Sequence, residues 1–164
     1  MKIIYKTGNL LHATEKMICH GCNAQGMMGS GVAGEIRKKY PSAFETYRRE
    51  YMRNGLRLGQ TIWVPCNPHV VINAITQEFY GGGAAYGTVY VDYNAVRTVI
   101  QDLDSVVQTQ REMRGLLETT AIAFPLIGAG LAGGSWKKIS SIIEDEALHF
   151  QPVVYLLDGK IPES

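Results

Sequence analysis

Short apolar runs with strand periodicity alternate along this chain with longer stretches of helical periodicity. Residues 2–6 and 16–22 read as strands, with Gly8-Asn9 and Thr14-Glu15 marking the turns between them. From 32 to 40 the apolar positions recur at helical spacing until Pro41 ends or restarts the helix. A second amphipathic helix over 42–53 carries Phe44, Tyr47 and Tyr51 on one face, where they serve as core packing, and Asn54-Gly55 closes it. Segments 59–64 and 70–76 are β-rich and flank Pro65-Cys66-Asn67-Pro68, the turn residues of a hairpin. Residues 92–113 are helical by period, 120–127 form a buried strand, 135–150 a helix and 152–157 a last strand. Strands alternating with helices predict one domain over 1–164, an α/β fold built as a three-layer α/β/α sandwich on a central mixed β-sheet.

Two of the strand-to-helix turns are rich in glycine. The first runs from His20 to Gly34, and its glycines allow close approach of a ligand to the backbone while the following helix presents unpaired N–H groups and a partial positive charge. Asn23 and Gln25 lie in the same turn and can read a sugar or base beside a phosphate. The second, Gly128-Ala129-Gly130-Leu131-Ala132-Gly133, matches the dinucleotide pattern G-x-G-x-x-G and has Asp158 at the end of the next strand. Too little chain follows Asp158 for the strands that would complete a dinucleotide-binding half, so only the strand-turn-helix physics survives. Two such turns in one small sheet form two clamps, and two clamps favour a ligand as long as a diphosphate. Between them Phe79-Tyr80-Gly81-Gly82-Gly83-Ala84-Ala85-Tyr86-Gly87 reads as either a lid or a linker.

Charged residues are 19% of the chain and the formal net charge is +1, so no global basic field draws the chain to nucleic acid or a membrane surface. The first residues alternate like a strand and lack the apolar core of a signal peptide, which leads to the expectation of a soluble, cytoplasmic protein with no membrane partner. The 3 cysteines suit a reducing compartment. Cys19-x-x-Cys22 and Cys66-x-x-His69 contain zinc-ligand residue types, but positions three apart near a strand end point to opposite faces and Cys66 to His69 is a hairpin tip. No metal and no cofactor are expected.

These residues resemble a macrodomain, the ADP-ribose-binding fold. Gly8-Asn9 after the first strand is similar to the family's Gly-Asp, the stretch from Asn23 through Gly29-Ser30-Gly31-Val32 to its Asn and triple-glycine loop, and Pro125-Leu126-Ile127-Gly128-Ala129-Gly130-Leu131 to its second phosphate loop. Within the family, His20-x-Cys22-Asn23, Tyr40-Pro41, Phe79-Tyr80-Gly81-Gly82 and Trp136 look most like the fungal ADP-ribose 1''-phosphate phosphatases. The layout is also similar to the terminal ADP-ribose glycohydrolase branch, but Gln77 and Ala132 stand where that branch places its lysine and aspartate, so its mechanism loses its main support. The resemblance implies a ligand-binding set of Asn9, Leu10, Cys22, Gln25, Gly29, Ser30, Gly31, Val32, Ile127, Gly128, Ala129, Gly130, Leu131 and Leu157. Asn9 would accept from the adenine amino group, Leu157 would line the adenine slot, the two glycine loops would hold the diphosphate, and Asn23 would bond the distal ribose. His20, placed at a strand end and titrating near neutrality, is the candidate acid or base beside Asn23, with a backbone-bonded core histidine as its alternative. The implied activity is release of phosphate from ADP-ribose 1''-phosphate, against two alternatives: a non-catalytic ADP-ribose reader, or a glycohydrolase releasing ADP-ribose from protein or nucleic acid. The expected partner is ADP-ribose or a derivative, with nucleic acid only as an ADP-ribosylated substrate, and the chain is expected to act as a monomer.

Overall fold

The computed structural model describes residues 1–81, 87–115 and 119–164. Six strands, Ile4–Thr7 (β1), Met17–Asn23 (β2), Thr61–Pro65 (β3), Val70–Gln77 (β4), Thr120–Phe124 (β5) and Phe150–Leu156 (β6), form one sheet in the order β1-β6-β5-β2-β4-β3. Neighbours are parallel throughout except for β3 and β4, which form the predicted hairpin, Cys66 N–H closing it on the His69 carbonyl at 3.0 Å. Helices Gly31–Lys39 (α1) and Pro41–Asn54 (α2) pack on one face, and Tyr93–Arg114 (α3) and Trp136–Glu146 (α4) on the other. This is the three-layer α/β/α sandwich.

Strand alternation sorts side chains into the two cores. Ile18, Val71, Ala123 and Val153 pack under α1 and α2 with Ile36 and Ala43, whereas their neighbours Cys19, Ile72, Ile122, Phe124 and Val154 pack under α3 and α4 with Val99, Leu103 and Ile139. Both faces are therefore apolar, and β4 is buried without a break from Val71 to Thr76. Trp136 opens α4 at 1% exposure and donates its indole N–H to the Tyr5 hydroxyl at 3.1 Å, tying α4 to the first strand. Asp92 caps α3, its carboxylate accepting from Ala95 N–H at 2.9 Å, which gives that residue a structural use.

Several boundaries differ from the sequence expectation, each for a definable reason. β5 stops at Phe124 because Pro125 has no N–H to continue the ladder, and Ile127 N–H turns back onto the Pro125 carbonyl at 2.7 Å. The last helix ends at Glu146, short of the expected 150, and Leu148 beyond it is exposed. Its stop is made from a distance: the buried Asp104 of α3 accepts from Leu148 N–H at 2.9 Å and His149 N–H at 2.6 Å, with its other oxygen 2.7 Å from His149 Nδ1. His149 thus lies past the helix, paired with Asp104. The glycine-rich stretch read as a lid or linker runs through 82–86, outside the described residues. No helix among the described residues is long and apolar enough to cross a membrane.

Asp104→Ala leaves two backbone N–H groups of the α4–β6 turn without their acceptor. It is expected to lower the free energy of unfolding by about 1 kcal/mol in a urea titration, because two partly buried donors lose their acceptor.

Candidate functional site

With both faces of the sheet covered, ligands can reach it only past the carboxyl ends of the parallel strands, and there the two glycine turns come together. Loop 1 leaves β2 at Asn23 and enters α1 through Ser30, an extended N-cap whose side chain makes no capping bond. Gly34 N–H takes the Ser30 carbonyl at 3.1 Å, so the N–H groups of Gly31, Val32 and Ala33 have no intrahelical acceptor and face outward from the positive end of α1. Loop 2 leaves β5 at Pro125 and enters α4 through Ser135. Ala129 and Gly133 N–H groups close turns on Leu126 and Gly130 carbonyls at 3.0 Å each, while those of Gly130 and Leu131 have no acceptor among the described residues and lie at the surface. The loops meet edge to edge: a Cβ on Gly31 would stand 3.4 Å from Leu131 Cδ1. Gly31 has φ +59 and Gly128 φ +76, left-handed values that glycine adopts freely, and a Cβ on Gly128 would also strike Val91 at 2.7 Å. A hollow of about 400 Å³ flanks loop 1 on its α1 side, with Gly29, Ser30 and Gly31 in front and Arg37 and Lys38 behind. It adjoins the donors of the first turn of α1 and does not lie between the loops, so the free N–H groups mark the anion site better than the hollow does.

Loop 1 owes its shape to one amide. Asn23 Oδ1 accepts from Gln25 N–H at 3.0 Å, Met27 N–H at 3.3 Å and the Tyr47 hydroxyl at 2.9 Å, and its Nδ2 donates to the Met27 carbonyl at 2.8 Å. Tyr47 also donates to the Asn23 carbonyl at 2.6 Å. Burial raises the Tyr47 phenol, which keeps it a neutral donor. Sequence reasoning placed Tyr47 in the core, where it is, but missed that its hydroxyl pins loop 1; the available signal was a tyrosine where phenylalanine would pack equally well.

The structure brings Gly29 to Val32 of loop 1 beside Gly128 to Leu131 of loop 2, and places Asn9 and Leu157 past the ends of β1 and β6. Asn9 is exposed and caps a single 3-10 turn over Leu10–His12, accepting from Leu11 N–H at 2.9 Å. Leu157 is exposed. Gln25 reaches sideways to Glu78 at 3.3 Å. Ile127 is buried under loop 2 against Gly21. Asn23 is buried as well, and so are three further expected site residues: Leu10 packs with Ile18 and Val153 in the α1–α2 core, Cys22 packs with Met28, Tyr47 and Ile75, and His20 lies inside β2. The alternation that points Ile18 into the core points His20 and Cys22 the same way.

His20 is 1% exposed and is not at the strand end that its sequence position suggested. Asn73 Nδ2 donates to the Ala43 carbonyl at 3.0 Å, which turns Asn73 Oδ1 toward His20 Nε2 at 2.6 Å and assigns the ring proton to Nε2. Cys22 Sγ lies 3.6 Å from Nε2 and 3.8 Å from Nδ1. Burial drives the imidazole down from its usual 6.5 to about 4, against the Asn73 bond, and drives the Cys22 thiol up. The histidine is thus a neutral brace joining β2 to β4 and, through Asn73, to α2. The thiol beside it is a packed residue with no thiolate character.

Residues 19–143 match the Macro domain family, and the chain belongs to it. It is 26% identical to the ADP-ribose 1''-phosphate phosphatase of Candida glabrata, over 90% of this chain and 96% of that one. It is also 26% identical to the DNA ADP-ribosyl glycohydrolase of Mycobacterium tuberculosis, over 84% of this chain and 36% of that longer protein. Among solved structures, the macrodomain of Thermus aquaticus DarG superposes with a TM-score of 0.73 at 24% identity, covering 94% of this chain and 97% of that one. The relatives are named hydrolases of two kinds.

Because the buried His20 takes its proton near pH 4 and an unfolded histidine near 6.5, the unfolded chain binds more protons between these values. Stability is expected to fall as pH drops from 6.5 toward 4, by about 3 kcal/mol in all from this residue. In chemical denaturation across that window, His20→Gln should flatten the slope.

Proposed function

We propose that the chain binds ADP-ribose derivatives across the carboxyl ends of its strands and hydrolyses ADP-ribose 1''-phosphate to ADP-ribose and phosphate. The observation that carries the reading is the edge-to-edge meeting of two loops, each offering backbone N–H groups without acceptors, which suits the two phosphates of a diphosphate. The full-length likeness to a phosphatase of ADP-ribose 1''-phosphate supports the reaction. In this reading adenine lies toward Asn9 and Leu157, where an amide oxygen replaces the family's carboxylate and no aromatic ring stacks. The distal ribose lies toward Asn23. Asn23 acts by shaping the turn that receives the ribose, and His20 is a positioning residue three places before it on the strand, holding Asn73 and α2 in register.

The glycohydrolase reading has the DNA-directed relatives in its favour. Against it, Gln77 donates to the Phe79 carbonyl at 2.6 Å, and Ala132 contributes a buried methyl while its carbonyl accepts from Tyr90 N–H at 2.8 Å. Neither can form an imine or act as a carboxylate.

Incubation with ADP-ribose 1''-phosphate is expected to release inorganic phosphate, while ADP-ribosylated DNA and protein release no free ADP-ribose. Free ADP-ribose from either modified polymer would establish the glycohydrolase reading instead, and ADP-ribose binding with no product from any substrate would make the chain a reader. Gly31→Ala forces a left-handed φ on a side chain and presses Leu131, and is expected to weaken ADP-ribose binding about tenfold in calorimetry while moving the melting temperature little.

A further inference from the structure

We propose that the Thr76 hydroxyl is a ligand-contacting, specificity-determining group for the distal ribose, a role that rests on the ADP-ribose reading above. Thr76 is one residue from the carboxyl end of β4 and fully buried, and among the described residues its Oγ1 has no hydrogen-bond partner. Buried hydroxyls in native proteins are nearly always paired, so one that is not calls for an explanation. The backbone around it is already committed, since the Thr76 carbonyl accepts from Asp92 N–H at 2.8 Å. What the hydroxyl faces is hydrocarbon and the bare backbone of Gly21. A Cβ on Gly21 of β2 would stand 2.7 Å from Oγ1 and 3.3 Å from Ile127 Cγ1, so the hydroxyl fills the place of a side chain that β2 lacks, and Ile127 of loop 2 packs over the same spot.

A valine at this position would fill the same volume and leave no polar atom stranded. The hydroxyl is instead kept directly beneath the loop whose N–H groups face the diphosphate. Its place in the sheet says which part of the ligand it meets. The order β1-β6-β5-β2-β4-β3 puts Asn9 and Leu157 over β1 and β6, the two glycine loops over β5 and β2, and Thr76 on β4. From β6 to β4 is three strand spacings, about 14 Å, which carries an extended ligand from its adenine past its diphosphate. For the hydroxyl to donate to an oxygen of the distal ribose, Ile127 has to give way above Gly21 as the ligand enters.

The test combines thermal unfolding of the ligand-free protein with calorimetry against ADP-ribose and against ADP, which lacks the distal ribose. Thr76→Val is expected to raise the melting temperature by about 3 °C, because the stranded hydroxyl is gone. It should weaken ADP-ribose about tenfold and leave ADP unchanged. Thr76→Ser should keep ADP-ribose affinity within about twofold of wild type, since it retains the donor. Thr76→Val binding ADP-ribose as tightly as wild type, or losing ADP equally, overturns the assignment. So does a melting temperature that is unchanged or lowered, which would mean that the hydroxyl has a partner in the free protein. A wild-type chain that binds ADP but not ADP-ribose, or neither, overturns the ADP-ribose reading itself and this assignment with it.

Discussion

Burial of the sheet on both faces is the constraint from which the rest of this molecule follows. Parallel strands need crossovers, and here the crossovers are helices that cover the sheet above and below. No side chain in the middle of β2 or β4 is then available to a solute. Chemistry is confined to the rim where the strands end, and a rim offers mainly backbone. The two loops at the rim are glycine-rich and offer unpaired N–H groups, so that at the end of a buried sheet the main chain supplies the proposed recognition surface.

A backbone site is only as well defined as the bonds that hold its loops. Loop 1 is held by Asn23, Asn23 by Tyr47, and Tyr47 belongs to α2, which never touches the proposed ligand. A second brace runs parallel to the first, from His20 through Asn73 to the Ala43 carbonyl of the same helix. Both put polar groups in an apolar layer, a costly arrangement unless every donor finds an acceptor, and in both the pairing is complete enough to hold one geometry. Preorganisation of the anion site therefore originates one layer away from it.

Much of this was legible in the sequence because strand and helix periods differ and because glycine turns punctuate the chain. The β3–β4 hairpin and the two loops follow from local patterns. What failed was what depends on distant partners. The end of α4 could not be read from Ala147, Leu148 and Phe150, which continue the apolar pattern, since the signal to stop is a carboxylate on α3. Pro125 was a readable stop that the apolar Leu126 and Ile127 obscured. His20 was drawn toward the surface by its polarity and its neighbouring glycine. Only the discovery that α2 lies over that face, with Asn73 waiting for the ring, shows it to be a core residue.

The pairing of β1 with β6 has a kinetic consequence. Ile4 sits opposite Val153, so this ladder joins nearly the two ends of the chain, whereas the β3–β4 hairpin closes over a four-residue turn and α1 and α2 are adjacent in sequence. Closing the longest loop carries the largest entropic penalty unless intervening structure has already shortened it. Assembly is thus expected to proceed from β4 and β2 outward, with β1 docking after the rest. The half of the rim proposed to cradle phosphate would be in place before Asn9 arrives, and the end proposed to take the base would be the last part of the site to exist and the first to be lost when the protein begins to open.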